Sequence, residues 1–213
     1  LVVDEWGNWF ECEPGTNPGF LYQQNSVCDA VVAAVHLNIF NNHSDRVRIA
    51  NLAQAVNVLQ SPVLTEGDKI VLTPTWHVLH AFKAHQGATL LGTSFASQSA
   101  IFHDEEKGSD IKIPGLSVSA SEREEGGKTS YLVTVANPDV DKSKTVEISL
   151  AGLKGKIEKA AGTIVNGDKM DTINTFDKSD AVTEKTLAVK VLDGESVCIE
   201  LPAHSVAAVT ITA

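Results

Sequence analysis

The segment Leu1-Val2-Val3-Asp4-Glu5-Trp6-Gly7-Asn8-Trp9 decides how the rest of the chain is read. An apolar strand runs directly into two carboxylates and two indoles. In a parallel barrel the C-terminal ends of the strands face the active-site mouth. Strict period-2 geometry would put Val3 and Glu5 on one face and Asp4 and Trp6 on the other. A carboxylate beside aromatic faces suits sugar chemistry: aromatics stack on the C–H face of the ring, and a carboxylate stabilises or attacks an oxocarbenium-like centre. The same residues also describe a solvated strand end with a packing tryptophan, and spacing alone does not separate the two.

Working outward, the first half alternates strand and helix signals. Cys28, Val31, Val32, Val35 and Ile39 recur at helical spacing, giving a helix over about residues 26–41 that stops at Asn41-Asn42-His43-Ser44. Thr73 as N-cap and Pro74 at the first helical position open a second helix, about 74–85, ending at Gly87. Short apolar runs at 1–3, 47–50 and 56–59 complete the pattern of parallel βα units. From about residue 90 the pattern becomes all-β. Segments 116–120, 131–135, 146–150, 187–191, 197–201 and 206–211 are of strand length, separated by Gly, Asn-Pro and Asn-Gly turn signals. The expected fold class is therefore α/β plus all-β, with a unit at 1–89 and a β-sandwich at 90–213.

Composition limits the function. Lys+Arg 17 against Asp+Glu 27 gives a formal charge of -10, which disfavours nucleic acid and anionic membrane as partners. No apolar run approaches the ~20 residues of a membrane span. Cys12, Cys28 and Cys198 show neither a metal spacing nor a disulfide framework, and the compartment is left open. At 213 residues the chain cannot hold a complete (β/α)8 barrel, roughly 250 residues, and anything else. Its opening is neither a methionine start nor a signal peptide, so the chain is expected to begin inside a longer protein.

Other polar residues carry weaker signals. Asn51, Gln54 and Asn57 are amides in an apolar stretch, whose partners could be sugar hydroxyls or loop backbone. His77 and His80 sit three apart, but the segment lacks the Glu and third ligand of a zinc site; a surface or packing role is expected, and no metal or cofactor. The run Asp104-Glu105-Glu106-Lys107-Gly108 reads as a solvated loop.

Four stretches taken together resemble the C-terminal part of the glycoside hydrolase family 51 α-L-arabinofuranosidases. They are Val3-Asp4-Glu5-Trp6-Gly7; Asp29-Ala30-Val31 with Leu37-Asn38; Asp45-Arg46-Val47 through Ile49-Ala50-Asn51-Leu52-Ala53-Gln54 to Val56-Asn57-Val58; and Thr73-Pro74-Thr75-Trp76-His77-Val78 with His85-Gln86-Gly87. The closing Pro202-Ala203-His204-Ser205-Val206 matches in pattern. The resemblance implies a retaining glycosidase with a (β/α)8 (TIM) catalytic barrel and a packed jelly-roll-like sandwich. This chain would supply barrel strands seven and eight with their helices. It implies Glu5 as nucleophile, Gln54 as a hydrogen-bond partner of the arabinofuranosyl ring, and Trp9 bordering the leaving-group side. Gly7 stands where relatives commonly have Asn. The family's acid/base comes from an Asn-Glu-Pro-type motif that this chain lacks, so the isolated chain is expected to be inert. The implied partners are an arabinose-containing oligosaccharide or polysaccharide, the remaining barrel segment, and further copies of the chain. Two other readings are an endo-acting glucanase of the same family and a non-catalytic carbohydrate-binding or assembly sandwich. The β half has no tryptophan to serve as a stacking platform for the latter.

Overall fold

The computed structural model describes residues 1–153 and 155–213. Strand β1 (Val2–Trp6) leads through a loop into helix α1 (Val27–Asn42), which returns to β2 (Ile49–Leu52). β1 and β2 pair in parallel, Val2 with Ile49 and Val3 with Ala50. A β-α-β crossover is the connection such pairing requires. A hairpin, β3 (Val63–Glu66) and β4 (Lys69–Leu72), then precedes helix α2 (Pro74–Phe82).

Both helices start where local chemistry dictates. Ser26 caps α1, and its backbone N–H donates to the Asp29 carboxylate at 2.7 Å, forming half of a capping box. Thr73 precedes Pro74 at the head of α2. That helix ends in a 3₁₀ turn, Lys83–His85, and the chain leaves through Gly87 at φ +72°. No helix is long and apolar enough to cross a membrane among the described residues.

The remaining strands are β5 (Thr89–Leu91), β6 (Ala100–Asp104), β7 (Ser109–Ile113), β8 (Ser117–Glu125), β9 (Lys128–Asn137), β10 (Lys144–Ser149), β11 (Lys159–Val165), β12 (Glu184–Leu187), β13 (Lys190–Val191), β14 (Ser196–Leu201) and β15 (Ser205–Thr212). Six form one antiparallel sheet in the order β12-β11-β15-β9-β8-β5, and three form another, β10-β14-β13. Val197, Ile199 and Leu201 of β14 pack between the sheets against Val133, Val135, Ile164, Val209 and Ile211. The opposite face of the larger sheet meets the helices, where Ala136, Val165 and Val206 join Val27, Val31, Ala34, Val78 and Phe82 in a second core. Strand β15 is thus covered on both faces, which is why Val206–Ile211 reads as an apolar run rather than an alternation. Each fully buried Val or Ile there contributes about 1.5–3 kcal/mol.

A polar seam locks helices to sheet. The buried Asn38 amide of α1 accepts from Ser119 Oγ and Thr134 Oγ1, both at 2.8 Å, and donates to Ser117 Oγ. His85 joins them: Nδ1 lies 2.7 Å from Ser121 Oγ and Nε2 3.0 Å from Thr134 Oγ1. Burial pushes the His85 imidazole down to about 4. A histidine depressed below its unfolded value of about 6.5 takes up its proton in the unfolded chain first, so stability is complete above pH 6.5 and falls as pH drops towards 4. The expected loss from His85 is at most about 3 kcal/mol. Denaturant unfolding at pH 7, 6, 5 and 4.5 checks it. His77 is depressed by burial as well, so His85→Gln should flatten part of this slope; an unchanged slope would contradict the assignment.

Three expectations need correction. β1 does not simply alternate: Val3 pairs with Ala50 but Trp6 with Leu52, so three steps on β1 match two on β2. The extra residue is a bulge at Asp4–Glu5. Val3 and Trp6 therefore pack in the same core, and Asp4 and Glu5 are both exposed. Segment 56–59 is not a strand, because Asn57 and Leu59 adopt positive φ and break the extended backbone. Segment 187–191 is not one strand: the chain leaves the six-stranded sheet after Leu187 and enters the three-stranded sheet at Lys190. Gly162 lies under that crossing, where a Cβ would stand 2.9 Å from Val189 Cγ2. The charged run 104–108 is largely exposed, as a solvated loop should be, and forms the turn of the β6–β7 hairpin.

Candidate functional site

The site is built at the C-terminal ends of the parallel pair. Trp6 anchors β1. It is buried, stacks on His36 with centroids 5.5 Å apart and meets Phe40 edge-on. Its carbonyl accepts from Ala53 N–H at 3.1 Å, tying the end of β1 to the residue before Gln54. Glu5 and Gln54 therefore emerge from the same end of neighbouring strands, and both side chains are exposed. Among the described residues no hydrogen-bond donor reaches the Glu5 carboxylate. The Ala53–Gln54 peptide is cis.

Beyond Trp6 the chain turns sharply. Gly7 has φ +135°, and a Cβ there would fall 1.2 Å from Gln60 Nε2. Gln60 is fully buried, so the absence of a side chain at residue 7 is what lets its amide pass beneath the loop. Asn8 follows, its amide donating to Asp29 Oδ1 at 2.9 Å. Asp29 is completely buried, and burial pushes its carboxyl above the usual range although Ser26 and Asn8 donate to it. Trp9 is 67% exposed.

The three amides diverge in use. Asn57 is spent on backbone: its Oδ1 accepts from Thr65 N–H at 2.8 Å and its Nδ2 donates to Thr65 O at 3.1 Å. Asn51 and Gln54 are exposed and keep their amides available. The histidines of α2 belong to the packing against the sheet. His80 Nδ1 lies 2.6 Å from Glu184 Oε1 and its ring stacks on Trp76, while His77 is 8% exposed beside the same carboxylate. Gln23 escaped the sequence reading. It is 1% exposed, and its amide brackets the Trp9 loop. Its only sequence signal is its place three residues ahead of the Ser26-x-x-Asp29 capping pattern.

The parallel pair and the loop that follows it thus present a carboxylate, an amide and an indole, groups whose chemistry suits a carbohydrate. The sequence matches the family model described as the alpha-L-arabinofuranosidase C-terminal domain over residues 4–205. The chain belongs to that family, the C-terminal part of the glycoside hydrolase family 51 α-L-arabinofuranosidases. Among curated relatives, the intracellular exo-alpha-L-arabinofuranosidase of Bacteroides ovatus is 36% identical over 206 residues, covering 97% of this chain and 38% of that protein. The crystal structure of the GH51 arabinofuranosidase from Xanthomonas axonopodis pv. citri superposes with a TM-score of 0.88 at 39% identity, covering 99% of this chain and 41% of that one. AbfB, a family 51 alpha-L-arabinofuranosidase from Bifidobacterium longum, follows at TM-score 0.78 and 27% identity, with 99% and 41% covered. The chain thus spans about two fifths of the length of the proteins it matches.

Proposed function

We propose that these residues form the last two βα units of a (β/α)8 barrel, up to about residue 89, and the jelly-roll-like sandwich of a retaining α-L-arabinofuranosidase from residue 90 onward. The full-length enzyme removes terminal α-L-arabinofuranosyl groups from arabinoxylan, arabinan or their oligosaccharides. The observation that carries this reading is the parallel β1–β2 pair, which sends Glu5 and Gln54 out of the same strand ends. Exposure supports it too: the paired Val2 and Ile49 are each about half exposed, although apolar residues of a parallel sheet are normally covered.

In this mechanism the Glu5 carboxylate attacks the anomeric carbon as the C–O bond to the leaving group breaks. A second carboxyl group, roughly 5–5.5 Å away, protonates the departing oxygen. It then takes a proton from water, which attacks the glycosyl–Glu5 ester and releases arabinose with retained configuration. Gln54 hydrogen-bonds the arabinofuranosyl ring and Trp9 borders the leaving group. The acid/base residue lies in the part of the barrel outside these residues.

Two outcomes follow. Full-length protein should hydrolyse 4-nitrophenyl α-L-arabinofuranoside, whereas the isolated chain should not; turnover by the chain alone, or none by the full-length protein, overturns the reading. The uncovered edges and apolar face of the β1–β2 sheet should also drive the isolated chain to associate, with itself or with an added upstream barrel segment. Size-exclusion chromatography with light scattering reads this directly, and a well-behaved monomer counts against it.

A further inference from the structure

Gln23 is nearly inaccessible, yet its side-chain amide is spent on a loop rather than on its own neighbours. Oε1 accepts from Phe10 N–H at 2.9 Å and Nε2 donates to Asn8 O at 3.3 Å. These two bonds flank Trp9, so the amide takes the place a neighbouring strand's peptide would occupy. Gln23 is itself held, its carbonyl accepting from the buried Asn25 amide at 2.8 Å. Asn8 is held a second time by Asp29 at the head of α1. The backbone on either side of Trp9 is therefore pinned to buried groups, while the indole is left 67% exposed. An aromatic face presented this way binds a sugar without paying to order its loop.

We propose that Gln23 is a positioning residue that sets leaving-group specificity by holding Trp9 as a preformed stacking face. This rests on the reading of Trp9 as a border of the leaving-group side. The role is indirect: Gln23 touches neither substrate nor the reacting atoms. It predicts a loss confined to substrates whose leaving group is a sugar ring.

The test uses full-length enzyme with two substrates, an arabinoxylo-oligosaccharide and methyl α-L-arabinofuranoside, whose leaving group has no ring. Gln23→Met keeps the buried volume and removes both hydrogen bonds. It should raise KM for the oligosaccharide roughly five- to tenfold, the range of one aromatic stacking contact. Its kcat, and both parameters for the methyl glycoside, should stay within about twofold. Trp9→Ala should raise KM for the oligosaccharide at least as much, and the double variant should be no worse than Trp9→Ala alone. Gln23→Leu, which removes both hydrogen bonds with a shorter apolar side chain, carries the same comparison should Gln23→Met not fold.

Equal losses on both substrates would show a merely structural role and overturn the inference. So would an effect of Gln23→Met that adds to that of Trp9→Ala. A KM increase in Trp9→Ala that neither Gln23 variant reproduces overturns the inference alone. No effect of Trp9→Ala on either substrate overturns the reading of Trp9, and the inference with it.

Discussion

Glu5→Ala in the full-length enzyme should abolish hydrolysis of 4-nitrophenyl α-L-arabinofuranoside, with kcat falling by roughly four orders of magnitude or more. Losses of that size accompany removal of a covalent nucleophile. The cause is local. Glu5 is exposed at a strand end whose next residue, Trp6, is locked into the core, so truncating the carboxylate leaves the scaffold intact. The variant should therefore unfold at the wild-type denaturant concentration. Added azide supplies a further discriminating result. It can enter the space left by the carboxylate, attack the anomeric carbon and expel 4-nitrophenolate, giving a glycosyl azide of inverted configuration. Near-normal turnover by Glu5→Ala, or an azide product of retained configuration, would remove Glu5 from the nucleophile's role.

Gly7→Ala is expected to destabilise the fold strongly for a single added methyl. The φ of +135° lies where L-residues are rarely found, and the new Cβ would sit 1.2 Å from the Gln60 amide nitrogen. Gln60 is fully buried and cannot swing into solvent. Backbone strain and forced repacking each cost about 1–3 kcal/mol, so the expected destabilisation is about 3 kcal/mol, readable as a lowered urea midpoint. Because Gly7 lies two residues from Glu5 and two from Trp9, activity should fall even in molecules that remain folded. Gln60→Ala in the Gly7→Ala background should recover part of the stability by opening the space the methyl needs. A Gly7→Ala protein as stable as wild type would show that the Gln60 contact is not tight in solution.

Much of the architecture is legible in the chain because it depends on local chemistry. The apolar spacing from Cys28 to Ile39 and the Thr73-Pro74 start place both helices within a residue or two of their observed beginnings. The turn signals at Gly126-Gly127 and Asp193-Gly194 bound strands β8, β9 and β14 as expected. The failures share a physical origin. The β6–β7 hairpin pairs only with itself and is largely exposed, so no alternation of burial marks it. β12 and β13 read as a single apolar segment because both flanks of the crossing, Leu187 and Val189, pack against one core. Asn57 resembled a candidate sugar-binding amide because spacing does not reveal that Thr65 would come round to meet it.

The same division holds at the site. Residue type and order alone determined that a carboxylate, an indole and an amide follow two parallel strands, because strand periodicity, caps and motif order are written within a few residues of one another. Which way those residues face was settled by contacts between segments distant in sequence. Pairing with β2 forces the bulge that exposes both Asp4 and Glu5. Gln60, reaching under Gly7 from 53 positions away, shapes the turn after the strand. Gln23 and Asp29 reach back across 13 and 21 positions to hold the loop that presents Trp9. Such contacts form only once the chain has collapsed, because buried polar groups must then find partners wherever the fold has brought them.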